Sequence, residues 1–133
     1  MTPPTPLIAS LYVALGGGTG AVLRYQLGRL VTHWFGPNIA FPWATFTANV
    51  VGSLCMGLLV GFLARHGHGG EHWRLLLGVG MLGGFTTFSS FSMEMVLLAE
   101  RGAIGMAVAY AGFSLAAGVA AMFLGLMTMR SIG

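Results

Sequence analysis

Four long stretches of the chain carry no charged side chain: Leu7 to Leu23, Phe41 to Ala64, Leu75 to Met93 and Gly102 to Met129. A helix rising about 1.5 Å per residue needs roughly 20 apolar residues to cross about 30 Å of hydrocarbon, and these runs are of that order or longer. Apolar and polar positions do not alternate at period two along them, as they would in the strands of a membrane barrel. The pattern predicts an all-α membrane protein, one domain of four transmembrane helices over about 7–32, 42–65, 73–99 and 102–129. The first run lacks a basic leading region and a small-residue cleavage signature followed by a polar mature domain, so it reads as a span and not a signal peptide. The connections, Trp34 to Pro42, His66 to His72 and Glu100-Arg101, leave no room for a domain outside the membrane.

Polar interruptions of this pattern are where chemistry is expected. The third run contains GGFTTFSSFS, from Gly83 to Ser92. A Gly-Gly pair followed by Thr-Thr is where the helix is expected to unwind at midspan, because glycine has low helix propensity and hydroxyls compete for backbone groups. Non-helical backbone at membrane depth must be buried in protein or line a wet cavity or ion site, and a break offers free carbonyls and amides to an ion. Phe88 and Phe91 are three residues apart, as are Thr87 and Ser90, with Glu94 four further on; helix resuming near Thr87 places each pair roughly on one face. The two rings read either as lipid contact and packing or as electropositive edges that hold a desolvated anion. Ser92 is expected to bond back to its own helix, and Glu94 across to a neighbouring one.

Asn49 in the second span needs partners at that depth, and Thr45 stands one turn before it. It is either an interhelical hydrogen-bonding residue or a donor lining an anion pathway, since its amide has two N–H groups. Tyr110 and Ser114, four apart in the fourth span, either join Asn49 in a donor track or leave Tyr110 as an interface anchor. Arg24, at the edge of the first run, either snorkels to the headgroups or draws anions to an entrance. Gly16/Gly20, Gly57/Gly61 and Gly80/Gly84 are each spaced four apart, as close helix packing in lipid requires, and Cys55 packs as a small apolar residue.

Composition narrows the class. Of 133 residues 56% are hydrophobic and 7% charged, too few charges to cover a soluble surface. The net charge of +3 rests on arginines scattered near helix ends, with no stripe for nucleic acid. Arg65, Arg74 and Arg130 fall on one side of the membrane, and Arg24, Arg29 and Arg101 on the other. That tie leaves orientation unset. Insertion both ways and an antiparallel, dual-topology homodimer are therefore expected, the more so because four short helices alone do not easily surround a solvated pathway. The His66–His72 connection holds three histidines and Glu71, but its glycines make an adventitious surface metal site its ceiling. The chain holds no nucleophile–base–orienter set, no phosphate loop and no acid pair, so no enzyme is expected.

Three segments resemble the Fluc (CrcB) fluoride channel family: Gly16 to Tyr25, reading GGGTGAVLRY; Thr45 to Asn49 and on to Gly52-Ser53; and Gly83 to Phe91, reading GGFTTFSSF. The resemblance covers nearly the whole chain. It departs at Ala44, Ala48 and Ser90, which keep small size or a hydroxyl, and at Gly118, which lacks one. It implies an antiparallel homodimer in the cell (inner or plasma) membrane with two fluoride pores, each built from both subunits. It also implies a structural sodium ion on the twofold axis, held by the main-chain carbonyls of Gly83 and Thr86 of each copy. Phe88 and Phe91 are then the rings facing fluoride, Asn49 a donor beside them, Tyr110 and Ser114 part of a polar track, and Arg24 a basic position near the entrance; Thr45 and Ser90 complete the pathway. Two other readings stand beside this one. A small four-helix, dual-topology exporter of cationic or toxic molecules wants a carboxylate in the first span, whereas Glu94 is in the third; an assembly protein would leave Asn49, Thr86 and Tyr110 as packing hydrogen bonds.

Overall fold

A computed structural model describes residues 3–38, 40–66 and 70–132. Helix α1 (Pro6–Phe35) opens with proline in its first turn, where the missing N–H costs nothing, and stops at Gly36, whose φ of 85° suits glycine and whose N–H bonds to Thr32 O. Helix α2 is Trp43–His66. Helix α3 (71–85) begins α-helical at Glu71–Trp73, widens to π-helical geometry over Arg74–Leu82, and closes with the turn Gly83–Phe85. Helix α4 (Phe88–Glu100) completes the third span, and α5 (Ile104–Ser131) follows a turn at Gly102, φ 77°. Four stretches, Pro6–Phe35, Trp43–Arg65, Glu71–Glu100 and Ile104–Ser131, are long and apolar enough to cross a membrane. Of the His66–His72 connection, residues 67–69 and the His66 side chain lie outside the described residues.

Helix α1 packs on α3, α2 on α5, and α4 on α5. The packing is made by small residues. A Cβ placed on Gly16 would run into Leu76 O, one on Gly20 into Met81 O, and one on Gly84 into Gly17 O. In the second pair, a Cβ on Gly57 would meet Met122 O, and one on Gly125 would meet Leu54 O. Backbone therefore lies against backbone at both crossings, which supplies dispersion contact where lipid offers no hydrophobic drive between helices. All three glycine pairs expected to pack do so; Gly125 completes the α2–α5 crossing with no four-residue partner to flag it. The buried side chains are mostly small or polar, among them Ala48, Ala107, Ala121, Thr45 and Thr87, while large apolar residues such as Leu15, Val108, Phe113 and Leu115 face outward. That distribution suits a protein whose solvent is lipid.

The helix leaves its regular path later than the glycines. Gly83 keeps φ −62°, ψ −37°, and Gly84 is also helical; Thr86 (φ −81°, ψ 155°) and Thr87 (φ −151°, ψ 122°) are extended. Gly84 is held in the α3 helix against Gly17, where only a glycine backbone fits.

Gly20→Ala forces Met81 and α1 apart and is expected to destabilise by about 1–3 kcal/mol. Gly18→Ala, whose added methyl meets nothing within 4 Å, is expected to be neutral or slightly stabilising through helix propensity. Thermal unfolding midpoints of the two variants in detergent compare them directly.

Candidate functional site

The two extended residues are fixed from α2. Thr87 N–H donates to Asn49 Oδ1 at 2.8 Å, and Asn49 Nδ2 donates to Thr87 O at 3.2 Å. The side-chain amide pairs with the Thr87 peptide as a neighbouring strand would. The Thr87 hydroxyl then caps α4, accepting from Ser90 N–H at 3.2 Å, and lies 3.2 Å from the hydroxyls of both Ser89 and Ser90. Thr86 Oγ1 bonds back to Leu82 O at 2.9 Å, and Ser92 Oγ to Phe88 O at 2.9 Å, the latter the back-bond expected of it.

Two carbonyls lose their helical donors through this arrangement. The N–H that would close onto Gly83 O belongs to Thr87 and goes to Asn49; the one that would close onto Thr86 O belongs to Ser90 and goes to the Thr87 hydroxyl. Gly83 is exposed on the surface of the chain.

Nearly two turns into α4 lies a second polar centre. Glu94 accepts from Thr45 Oγ1 (2.7 Å, α2) on one carboxyl oxygen and from Tyr110 OH (2.8 Å, α5) on the other. The cross-helix bond expected of Glu94 is thus made twice, and the three helices are pinned together. Tyr110 is fully buried, its ring against Phe91 (centroids 5.0 Å) and edge-on to Phe41 (5.3 Å). Sequence spacing put Thr45 with Asn49 and Tyr110 with Ser114; the fold turns Thr45 and Tyr110 to Glu94 instead, a three-helix meeting that no single-helix periodicity reveals.

Beside the Asn49–Thr87 pair opens a groove of about 830 Å³ between α2, α4 and α5, lined by Asn49, Ser53, Thr86, Thr87, Phe88, Phe91, Ser92, Met95 and Ser114 among others, none of them charged. Phe88 and Phe91 stand 5.9 Å apart, and Phe88 is 80% exposed. Ser114 Oγ is buried with no hydrogen-bond partner. Of the residues singled out from sequence, the groove collects Asn49, Thr86, Thr87, Phe88, Phe91, Ser92 and Ser114. Ser90 sits in the α4 cap, Thr45 and Tyr110 on Glu94, and Arg24 in a separate pocket toward the far end of α1. Ser53, which follows Gly52 in the second motif, was given no role at the site; its position four residues after Asn49, on the same face, is the signal that points to it.

A bundle of small-residue crossings, lipid-facing large side chains and an uncharged polar groove defines a multi-pass helical membrane protein. Residues 11–126 match the family model described as CrcB-like protein, Camphor Resistance (CrcB), and the chain belongs to that family. It is 60% identical over 126 residues, 95% of this chain and 99% of the relative, to a protein of Novosphingobium aromaticivorans named fluoride-specific ion channel FluC. Proteins of the same name from Erythrobacter litoralis (50% identical, 98% of each chain) and Phenylobacterium zucineum (54%, covering 93% of this chain and 97% of the relative) are also similar.

Removing one donor from Glu94 leaves a partly buried carboxylate oxygen unpaired, so Tyr110→Phe and Thr45→Val are each expected to destabilise by about 1–2 kcal/mol. Because both act on one carboxylate, the double variant is expected to lose measurably more or less than the sum of the two. A double-mutant cycle of thermal unfolding in detergent reads the coupling; strict additivity counts against a shared centre.

Proposed function

We propose that the chain is a fluoride-selective passive channel of the cell's inner membrane, letting cytoplasmic fluoride leave down its gradient. The observation that carries this reading is the uncharged groove of hydroxyls, an amide and two phenyl rings, in a chain 60% identical to a protein named a fluoride-specific ion channel. A small, strongly hydrated anion needs its water shell replaced by donors along a narrow path. Asn49 spends one N–H on Thr87 and has a second to offer, and the Ser114 hydroxyl is unspent. Ring edges of Phe88 and Phe91 add positive potential without a fixed charge that would trap the ion. Thr45, Ser90 and Tyr110 support this path from the bonds already described, and Arg24 raises anion concentration at an entrance.

The working unit in this reading is an antiparallel, dual-topology homodimer with two pores and a third helix broken at midspan in each copy. The lipid-like exposure of Phe88 is then covered by the second copy, whose surface completes each pore. The freed carbonyls of Gly83 and Thr86 suit a hard monovalent cation, which prefers oxygen ligands; four from two copies would hold a sodium ion, whose charge would fix the two copies together at their axis. No observation favours the exporter reading: α1 has no carboxylate, and Glu94 is held by two hydroxyls.

Purified protein in liposomes is expected to release fluoride far faster than chloride, and Phe88→Ile is expected to reduce that flux at least tenfold, about 1.4 kcal/mol of barrier or more. Equal fluoride and chloride release from folded protein contradicts the function. Unchanged flux in Phe88→Ile contradicts the ring-edge mechanism alone.

A further inference from the structure

Away from the groove, a second pocket of about 570 Å³ lies along the later half of α1, capped by Ala44 at the start of α2. Its wall is two adjacent stripes of one helix. Arg24, Gly28 and Thr32 form one, each a turn above the last, and Tyr25, Arg29 and His33 form the other. Gly28 makes the hollow: a Cβ there would meet nothing within 4 Å. Thr32 Oγ1 is turned back to Gly28 O at 2.9 Å, which leaves the arginines, the histidine and the Tyr25 hydroxyl as the polar groups of the lining available to a guest.

Depth and charge narrow the guest. Residues 6–23 of α1 span about 27 Å at helical rise, close to the whole hydrocarbon thickness, so Arg24 stands where the hydrocarbon ends and Arg29 and His33 stand beyond it. Tyr25, Trp34, Phe35 and Trp43 are exposed around that end, as aromatic residues at a headgroup boundary are. No carboxylate lines the pocket. Of the three acids in the chain, Glu71 is bonded to Arg74 at 2.7 and 2.9 Å, Glu94 is held by Thr45 and Tyr110, and Glu100, the last residue of α4 and on the same side of the membrane as the pocket, is not among the residues that line it. Arg74 thus has its counter-charge within the chain, whereas the pocket presents two guanidiniums to whatever anion comes from outside.

We propose that this pocket binds a phosphate group, the chemistry shared by an anionic lipid headgroup and free phosphate. Planar guanidiniums about 1.4 turns apart, on adjacent stripes of the helix, grip tetrahedral oxyanions through paired N–H bonds, and His33 adds a donor beyond them. The site shares Arg24 with the fluoride reading, but its binding is measured without ion flux, so either can fail without the other.

The full-length protein in detergent, titrated with dioleoylphosphatidylglycerol or dioleoylphosphatidylcholine and read by native mass spectrometry, tests it. Phosphatidylglycerol is expected to be retained over phosphatidylcholine. Arg29→Gln, at an exposed position, is expected to weaken phosphatidylglycerol binding about fivefold, and Arg29→Lys, which keeps the charge but not the paired N–H fork, to recover only part of it. Arg130→Gln, in the last turn of α5 at the opposite membrane face, is expected to leave binding unchanged. Inorganic phosphate that displaces the lipid at constant ionic strength marks a site open to free phosphate, and failure to displace it marks the headgroup as the source; both support the pocket. Equal retention of the two lipids, or equal loss from Arg29→Gln and Arg130→Gln, overturns it.

Discussion

One side-chain amide sets the local geometry on which the rest depends. By taking both the N–H and the carbonyl of Thr87, Asn49 holds two threonines extended in the middle of a membrane span and removes the cost of leaving that peptide unpaired in hydrocarbon. From that pairing follow the Thr87 cap that restarts α4, the loss of helical donors on Gly83 and Thr86, and the turn that presents Phe88 and Phe91 to the groove. An apolar residue at 49 would leave Thr87 to seek its bond in the helix, and the hydroxyl cluster would have no reason to stay where it is.

Such a segment survives only in a rigid frame. The α1–α3 and α2–α5 glycine crossings hold the helices in two closely packed pairs, and the Glu94 centre ties α4 to α2 and α5 about two turns beyond the extended residues. Both oxygens of Glu94 accept from hydroxyls, and its carboxyl stands outside the lining of the groove. The charge that a membrane tolerates least is thereby used to hold helices, and the groove is left lined by hydroxyls, an amide and aromatic rings.

Much of this was legible in the sequence because lipid imposes a length and a composition on every span. The four charge-free runs mark the helices, and the four-residue glycine spacings mark their crossings, with Gly125 missed for want of a spaced partner. The polar decamer marks the unusual backbone, but unwinding was expected of a stretch that includes both glycines, whereas Gly83 and Gly84 stay helical and only Thr86 and Thr87 depart. Glycine propensity is a local preference; the partner that decides the matter, Asn49, is 38 residues away, and pairing across helices leaves no period in the sequence. The same holds for Thr45, Glu94 and Tyr110, whose meeting depends on three helices at once. What came through the family resemblance was the assignment of roles, which spacing alone left open between packing and passage.

The central claim is that Asn49 keeps Thr86 and Thr87 extended within the bilayer. Solid-state NMR of the protein in lipid, with threonine labelled at Cα and Cβ, reads those two backbones from their chemical shifts. Extended-region shifts at both positions, moving toward helical values in Asn49→Leu, are the predicted result; helical shifts at Thr86 and Thr87 in the unaltered protein would contradict it.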